Sequence, residues 1–376
     1  DLADVTGYTY TYLMNGQSPA NNWTCRFKPG ERIRLRFINA SAMTFFDIRI
    51  PGLDMTVVAM DGQPVNPVNF HECRLGVAET LDVIVAPKAD QAYTLFAQGI
   101  DRSGFVRGTL TPDAALSAAV PDMDAPPPLG HTEMGMGAIN HQASGHHSIG
   151  HQSMSHGAMD HDGMKMGEMK HHGTSPARPV PFAVDSNNPD LPPRDSAIEH
   201  PASEFGPGVD MRAMAPAAML DDPGIGLRER DWKVLTYADM ETAGGPPDSL
   251  MPDREIVLHL TGNMSRYMWS FNGIKFADSV PLELHHGERA RITLVNDTMM
   301  AHPIHLHGHF FELVNGAPDN RQPLKHTVIV QPGGSAQFDL TADEPGDWAF
   351  HCHLLYHMHA GMFQIVTVAN PAGGEA

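Results

Sequence analysis

Positive charge is scarce in this chain. Its 376 residues carry 25 lysines and arginines against 44 aspartates and glutamates, a formal net charge of −19 with the histidines neutral. Nucleic-acid-binding surfaces are basic, so that class of partner is excluded. The acidic field instead favours gathering cations. A run of about 20 apolar residues, the length a membrane-crossing helix needs, is also lacking, so no membrane span is expected. The chain opens at Asp1 with no Met and no signal peptide. Cysteine is nearly absent, with only Cys25, Cys73 and Cys352. The first two sit in matching surroundings, C-R-F-K-P-G-E-R-I-R-L and C-R-L-G-V-A-E-T-L-D-V. They are expected at equivalent places in two halves of one β-sandwich. An oxidising compartment would permit a disulfide between them; the other reading is two small buried thiols.

What is present is enough apolar residue, 41%, for sizeable cores, and enough length for two to three domains. Residues 1–112 read as an all-β domain. β-rich runs at 32–38, 56–59 and 81–85 are separated by the turn signals Pro29-Gly30, Pro51-Gly52 and Asp61-Gly62, a spacing that suits a Greek-key sandwich. Residues 230–376 repeat this grammar: H-H-G-E-R-A-R-I-T-L-V-N-D at 285–297 parallels K-P-G-E-R-I-R-L-R-F-I-N-A at 28–40. Residues 113–229 read as a linker. Pro, Ala, Gly, Asp and Ser dominate its flanks, and packing such a segment would hardly offset its chain entropy. Pro126-Pro127-Pro128 and Pro192-Pro193 predict stiff, extended stretches.

Two histidine clusters carry the chemistry. The first is H-P-I-H-L-H-G-H, His302 to His309; the second is H-C-H-L-L-Y-H-M-H-A-G-M, His351 to Met362. Period-2 alternation sets His305 and His307 on one face of an extended segment, while His302, in a short loop with Pro303, points elsewhere. In His351-Cys352-His353 the thiol faces one way and the two imidazoles the other. One tripeptide can therefore feed two metal sites. Two histidines, a cysteine and a weak methionine make a blue-copper electron-transfer site, here His302, Cys352, His357 and Met362. Zinc also accepts cysteine and histidine, but a thioether is a ligand zinc sites seldom use.

In these motifs, H-P-x-H-L-H-G-H and H-C-H-x3-H-x4-M, the chain resembles the multicopper oxidases. Within them it is similar to the bacterial periplasmic copper-resistance protein A group. D-L-A-D-V-T-G-Y-T-Y-T-Y-L-M-N-G at 1–16, F-K-P-G-E-R-I-R-L-R-F-I-N-A-S at 27–41 and M-W-S-F-N-G at 268–273 carry that closer likeness. The resemblance implies two cupredoxin-like domains, with His302, Cys352, His357 and Met362 as type 1 ligands. It implies His305 as a type 2 ligand and His307, His351 and His353 as type 3 ligands. His309 lies in the motif but is not a ligand in the family. The family's trinuclear centre takes four H-x-H pairs; this chain supplies two. Motifs such as H-W-H-G or H-S-H are missing. The chain therefore looks like the second and third domains of a three-domain oxidase. An N-terminal cupredoxin domain or another subunit is the expected partner that completes the centre. In 1–112, Phe45-Phe46 stand where the C-terminal copy runs on to His302, so that domain is read as copper-free.

Inside the linker, residues 131–173 hold nine histidines and seven methionines, among them Met134, Met136, His146, His147, Met164, Met166, Met169, His171 and His172. Thioethers suit Cu(I) and imidazoles Cu(II), so the tract is expected to bind accessory copper; its histidines could equally take zinc or nickel. His359 departs from the acidic residue expected in the copper-resistance group and reads as an exposed histidine. Asp239, Met240, Met299 and Met300 are candidates for a Cu(I) entry path, with core packing or a solvated surface as the plain reading of each.

The resemblance implies a periplasmic multicopper oxidase serving copper resistance. It would take single electrons from a donor, Cu(I) before phenols, at the type 1 copper and reduce dioxygen to water at the trinuclear centre. The alternatives are a copper-sequestering protein and a laccase-like phenol oxidase. A two-domain nitrite-reductase-like reading needs a histidine on only one side of the cysteine, and here both sides carry one.

Overall fold

The computed structural model describes residues 2–128, 130, 199–244 and 250–369, with one further two-residue strand at Asp185–Ser186. The fold is all-β, as its alternating runs predict. A six-stranded sheet runs in the order Trp23–Arg26, Phe105–Thr111, Tyr93–Gly99, Phe46–Arg49, Glu72–Leu75, Val234–Leu235. A four-stranded sheet runs Ile33–Ile38, Thr80–Val85, Met55–Met60, Gln63–Phe70. Their inner faces share one core, in which Ile48, Leu75 and Leu110 meet Leu35, Val57 and Val83. The second pair is an eight-stranded sheet centred on Arg254–Asn263, Arg289–Asn296 and Gly334–Thr341, and a five-stranded sheet. The latter runs Leu282–His285, Phe363–Ala369, Gly346–Cys352, His302–Leu306, Thr327–Val330.

The internal repeat is physical. Asn39 follows the strand Ile33–Ile38 and Asn296 ends Arg289–Asn296; both are buried and tie the following loop the same way. The Asn39 amide donates to the carbonyls of Thr44 and Leu75, and its oxygen accepts from Ser41. The Asn296 amide donates to Met300 and Val330, and its oxygen accepts from Thr298. Six residues past each asparagine stand Phe45 and His302, both buried.

One open alternative is decided and two expectations need correction. Cys25 and Cys73 are free thiols, one half-buried and one buried. They lie in the same sheet with three strands between theirs. At about 4.8 Å per strand that is about 19 Å, beyond the roughly 7 Å Cα reach of a disulfide. His302 and Pro303 are not in a loop: they open the strand His302–Leu306, paired to Thr327–Val330 and Gly346–Cys352. The described flanks of the linker are packed. Ala217–Ala218 pairs with the strand Gly334–Thr341, and Asp124 and Arg230 bond to each other beside Arg49 and Glu72. Val234–Leu235 then forms the edge of the first sandwich, so the chain returns to that sandwich after Ala217–Ala218 has already joined the second. These flanks offset their entropy with strand pairing, ion pairs and the burial of Ala213, Leu220, Ile225 and Leu227. The tract 131–173, with Met134, Met136, His146, His147, Met164, Met166, Met169, His171 and His172, lies outside the described residues, as do Pro192-Pro193.

The two sandwiches meet across a buried cation. Lys325 Nζ donates to Asp61 Oδ2 at 2.8 Å and lies 3.1 Å from Glu79 Oε1, all three side chains fully enclosed. Asp61 and Gly62 form the two-residue turn between Met55–Met60 and Gln63–Phe70, with φ of 50° and 77°. Asp-Gly suits a tight hairpin that needs positive φ twice. Here the turn also presents a carboxylate to the other sandwich.

Candidate metal centre

The five-stranded sheet brings the two histidine clusters together. His302–Leu306 pairs with Gly346–Cys352 in the register Ile304↔Cys352, His305↔His351 and Leu306↔Phe350. The side-chain period of 2 then sorts the donors onto opposite faces. The core face receives Cys352, while the other face receives the imidazoles of His305 and His351.

On the core side, His302, Cys352 and His357 converge, all fully buried, with ligand atoms within 4.8 Å of one another. Cys352 Sγ is 3.5 Å from His302 Nδ1 and 3.8 Å from His357 Nδ1, and the two Nδ1 atoms are 3.2 Å apart. Both rings therefore aim the same nitrogen inward. Each outer nitrogen is held: His302 Nε2 by the Thr298 hydroxyl at 2.7 Å, His357 Nε2 by Asp4 Oδ2 at 2.9 Å. Trp269 stacks on His357 at 3.8 Å between ring centroids. Met362 is fully buried in the same core. Its amide donates to the His357 carbonyl at 3.0 Å, and its own carbonyl accepts from Cys352 N–H at 3.1 Å. The loop carrying His357 and Met362 is thus closed back onto Cys352, through a short helix, Leu355–His359. Leu355 N–H donates to the Ala42 carbonyl and Tyr356 N–H to Met43 Sδ, which docks this loop on the first sandwich.

Burial pushes the His302 imidazole well below its ordinary range, and does the same, with less force, to His357. It pushes the Cys352 thiol up. Two neutral imidazoles with free inward nitrogens and a thiol that only a cation will deprotonate fit a copper ion, and the enclosed donor set fits a type 1 site.

On the opposite side four imidazoles gather. His307 Nε2 and His351 Nε2 lie 3.1 Å apart. That is close to the roughly 3.3 Å expected between two nitrogens sharing one ion at about 2.0 Å. The His305 ring is 4.7 Å from that of His307, 5.8 Å from His351 and 5.6 Å from His353. His305 Nδ1 donates to the His326 carbonyl at 2.8 Å, and His351 Nδ1 to the Cys352 carbonyl at 2.9 Å. These bonds fix the tautomers and leave Nε2 as the ligating atom. Desolvation lowers His305 to about 3 and His351 to about 4, and lowers His353 too, so protons hardly compete for these nitrogens near neutral pH. This donor set fits half of a cluster.

The remaining candidates separate. His309 is turned away: its Nε2 accepts from Glu344 N–H and its ring lies edge-on to Trp348. His359 is exposed. Asp239 caps Thr236 and pairs with Lys233. Met240 and Met300 are core residues, whereas Met299, just before the strand, reaches solvent. Sequence reasoning missed Asp4, Thr298 and Trp269 around the thiol side. For Thr298 the signal was available in the repeat, since Ser41 holds the same place after Asn39. His326, whose ring is 5.0 Å from His305, stands alone in the sequence and had no motif to mark it.

Two family models, both described as multicopper oxidase, match residues 2–116 and 249–372. Copper resistance protein A of Escherichia coli is 54% identical over 371 residues, 98% of this chain and 61% of that protein. Copper resistance protein A of Pseudomonas syringae pv. tomato is 56% identical over 373 residues, 98% of this chain and 61% of that protein. The chain belongs to the multicopper oxidase family. It spans about three fifths of the length of these two relatives. The fold agrees. Fet3p, a multicopper oxidase that functions in iron import, superposes with a TM-score of 0.57 at 15% identity over 92% of this chain and 57% of that one. A laccase from Botrytis aclada gives 0.52 at 16% identity over 94% and 55%. Among the described residues no helix is long and apolar enough to cross a membrane.

Proposed function

We propose that this chain is the electron-accepting part of a periplasmic multicopper oxidase of copper resistance. It would take single electrons from a donor, Cu(I) in preference to phenols, and pass them towards dioxygen, which is reduced to water. The observation that carries this reading is the tripeptide His351-Cys352-His353, which spans both donor sets with two peptide bonds. Copper held by His302, Cys352, His357 and Met362 would supply one-electron redox chemistry. Copper shared by His305, His307, His351 and His353 would supply the dioxygen end. The chain's own residues do the rest. Thr298 and Asp4 orient the two imidazoles, Trp269 covers the His357 face, and the apolar core excludes water from the thiol. The Cys352 backbone gives the electron a covalent path.

Four imidazoles are half of the family's eight, so the reading includes an N-terminal cupredoxin domain, or another subunit, that brings the rest. Residues 1–112 would be a copper-free cupredoxin-like spacer and 230–376 the copper-binding domain. The segment 113–229 would join them, its flanks packed and its tract 131–173 offering loose accessory sites. The same tract supports a second reading, a periplasmic copper-sequestering protein; a laccase-like phenol oxidase is the third.

The test loads the chain with copper, bleaches the thiolate absorption with Cu(I) or with a phenol, and admits air. Fast bleaching by Cu(I) with repeated return of the blue colour supports the oxidase. A band that stays bleached until an N-terminal domain is added supports the divided centre. Bleaching by phenols but not by Cu(I) overturns the cuprous donor, and no blue band at any copper loading overturns the reading altogether.

A further inference from the structure

A second enclosed donor set lies outside the centre described above. His200, Glu204, His259 and Asp297 place one ligand atom each within 4.8 Å of the others. The residues come from three separate elements. His200 and Glu204 flank the start of the 3-10 turn Ala202–Phe205, His259 stands in Arg254–Asn263, and Asp297 follows Arg289–Asn296. Glu204, His259 and Asp297 are buried, and the His200 side chain is 16% exposed, which leaves one edge open to solvent.

The orientation is that of ligands. His200 Nε2 donates to the Ala213 carbonyl at 3.0 Å, so Nδ1 faces the cluster, 2.8 Å from Glu204 Oε2 and 3.4 Å from Asp297 Oδ2. His259 Nδ1 also faces inward, 2.6 Å from Asp297 Oδ2 and 3.3 Å from Glu204 Oε1. Asp297 Oδ1 is oriented by Ala213 N–H at 2.6 Å. Glu204 Oε1, on a fully buried side chain, has no hydrogen-bond partner. Two carboxylates are thus enclosed, and among the described residues their ion-pair partners are these two imidazoles rather than any lysine or arginine.

We propose that His200, Glu204, His259 and Asp297 form a closed site for one divalent first-row cation of the zinc or cupric class. Two imidazoles and two carboxylates suit such an ion, and its two positive charges balance two carboxylates. Ligands at about 2.0–2.2 Å around a tetrahedral ion stand about 3.3–3.6 Å apart; two of the four contacts already have that span, and the others need to open by less than 1 Å. The held outer nitrogen of His200 and the oriented Asp297 are the outer bonds such sites use. Burial raises the Glu204 carboxyl to about 7 in the absence of an ion, with Asp297 adding to the effect, as fits an oxygen lacking its counter-charge. The ion would pin the segment around 199–213 to the end of the strand that carries Asp297. That residue precedes Thr298, which holds His302.

The experiment uses the full chain with its blue site already filled with copper. Excess Zn(II) is added, loosely held zinc is stripped on a chelating resin, and the zinc retained is counted by mass spectrometry. The expected result is one more retained equivalent in the unaltered chain than in Glu204→Gln or His259→Ala, with zinc raising Tm only in the former. Equal zinc retention in all three, with unchanged circular dichroism, would overturn the site. Should either variant fail to fold, X-ray absorption at the zinc edge of the unaltered chain decides. Two imidazoles and carboxylate oxygens with no sulfur uphold the site; an all-histidine, sulfur-containing or six-oxygen shell overturns it. Displacement of that zinc by Cu(II) assigns the site to copper, and its retention assigns it to zinc; both uphold the divalent site. The blue-band cycling test reads neither outcome, so the two proposals fail separately.

Discussion

At the scale of single residues, the thiol-side centre depends on groups that never touch the metal. The Thr298 hydroxyl fixes His302 through its outer nitrogen, and loss of such a partner typically costs 10–100-fold in metal affinity. Thr298→Val should therefore weaken copper binding by about that factor, while Thr298→Ser, which keeps the hydroxyl, should restore it. Competition titration of the blue band reads both. Asp4→Asn should act on His357 in the same sense, because Asp4 Oδ2 accepts from its Nε2. Cys352→Ser should abolish the band while leaving the circular dichroism of the sandwich intact. The motif brought forward His302, Cys352, His357 and Met362 as candidate donors, and the fold gathers the first three. Asp4 was not, because it lies 353 positions from its partner and only the folded chain brings them together.

At the scale of elements, the strand His302–Leu306 and the turn after it set the spacing of the imidazoles. Gly308 has φ of +74°, and a Cβ there would collide with the Trp348 ring. Gly308→Ala combines a left-handed penalty of about 1–2 kcal/mol with overpacking of about 1–3 kcal/mol. A loss of about 2–5 kcal/mol in urea unfolding is expected. The blue band should survive, since His302 opens the strand before the turn and Cys352 closes the neighbouring strand Gly346–Cys352, whereas metal binding at His307 should weaken. Alternation predicted His305 and His307 on one face, and their rings are 4.7 Å apart. It did not predict that the strand begins at His302, because hydrogen bonding to neighbours 22 to 48 residues away decides where a strand starts. The same limit applies to Val234–Leu235, a two-residue strand that exists only because Glu72–Leu75 offers it an edge.

At the scale of the whole molecule, charge buried between the sandwiches couples the four-imidazole site to the first sandwich. Asp61 accepts from Lys325 and from the amide of His326, and the His326 carbonyl holds His305. Asp61→Asn keeps the turn, since asparagine tolerates positive φ, but leaves a buried ammonium half-compensated. Breaking such a pair costs about 3–5 kcal/mol. The unfolding midpoint should fall accordingly, and metal binding at His305 should weaken with it.

Acid provides another global test, on the metal-free chain. His305 and His351 have folded pKa values lowered from 6.5 to about 3 and about 4. The unfolded chain therefore takes protons first, and stability is lost as pH falls below 6.5. Each imidazole contributes about 1.4 kcal/mol per pH unit. Glu204, raised to about 7, works in the opposite direction between 4.5 and 7, so one of the two contributions is offset. Tm measured with a chelator should still fall from pH 6.5 to 4.5, and copper should delay the fall. A flat profile would show that these imidazoles are not held neutral by burial.

The sequence by itself determined the all-β class, the internal repeat, and the motifs that carry the thiol-side donors and the two H-x-H pairs. These are local signals, because side-chain period and short motif spacing are set by backbone geometry within a few residues. Only the tertiary structure decided that Cys25 and Cys73 stay free, that the linker's described flanks pack, and that Lys325 is sealed between Asp61 and Glu79. It alone brought His200 and Glu204 to His259 and Asp297. Each of these depends on which distant strand edges and buried charges meet. Sequence spacing carries no record of that distance, since enclosure in a low-dielectric interior, rather than proximity along the chain, makes those partners necessary.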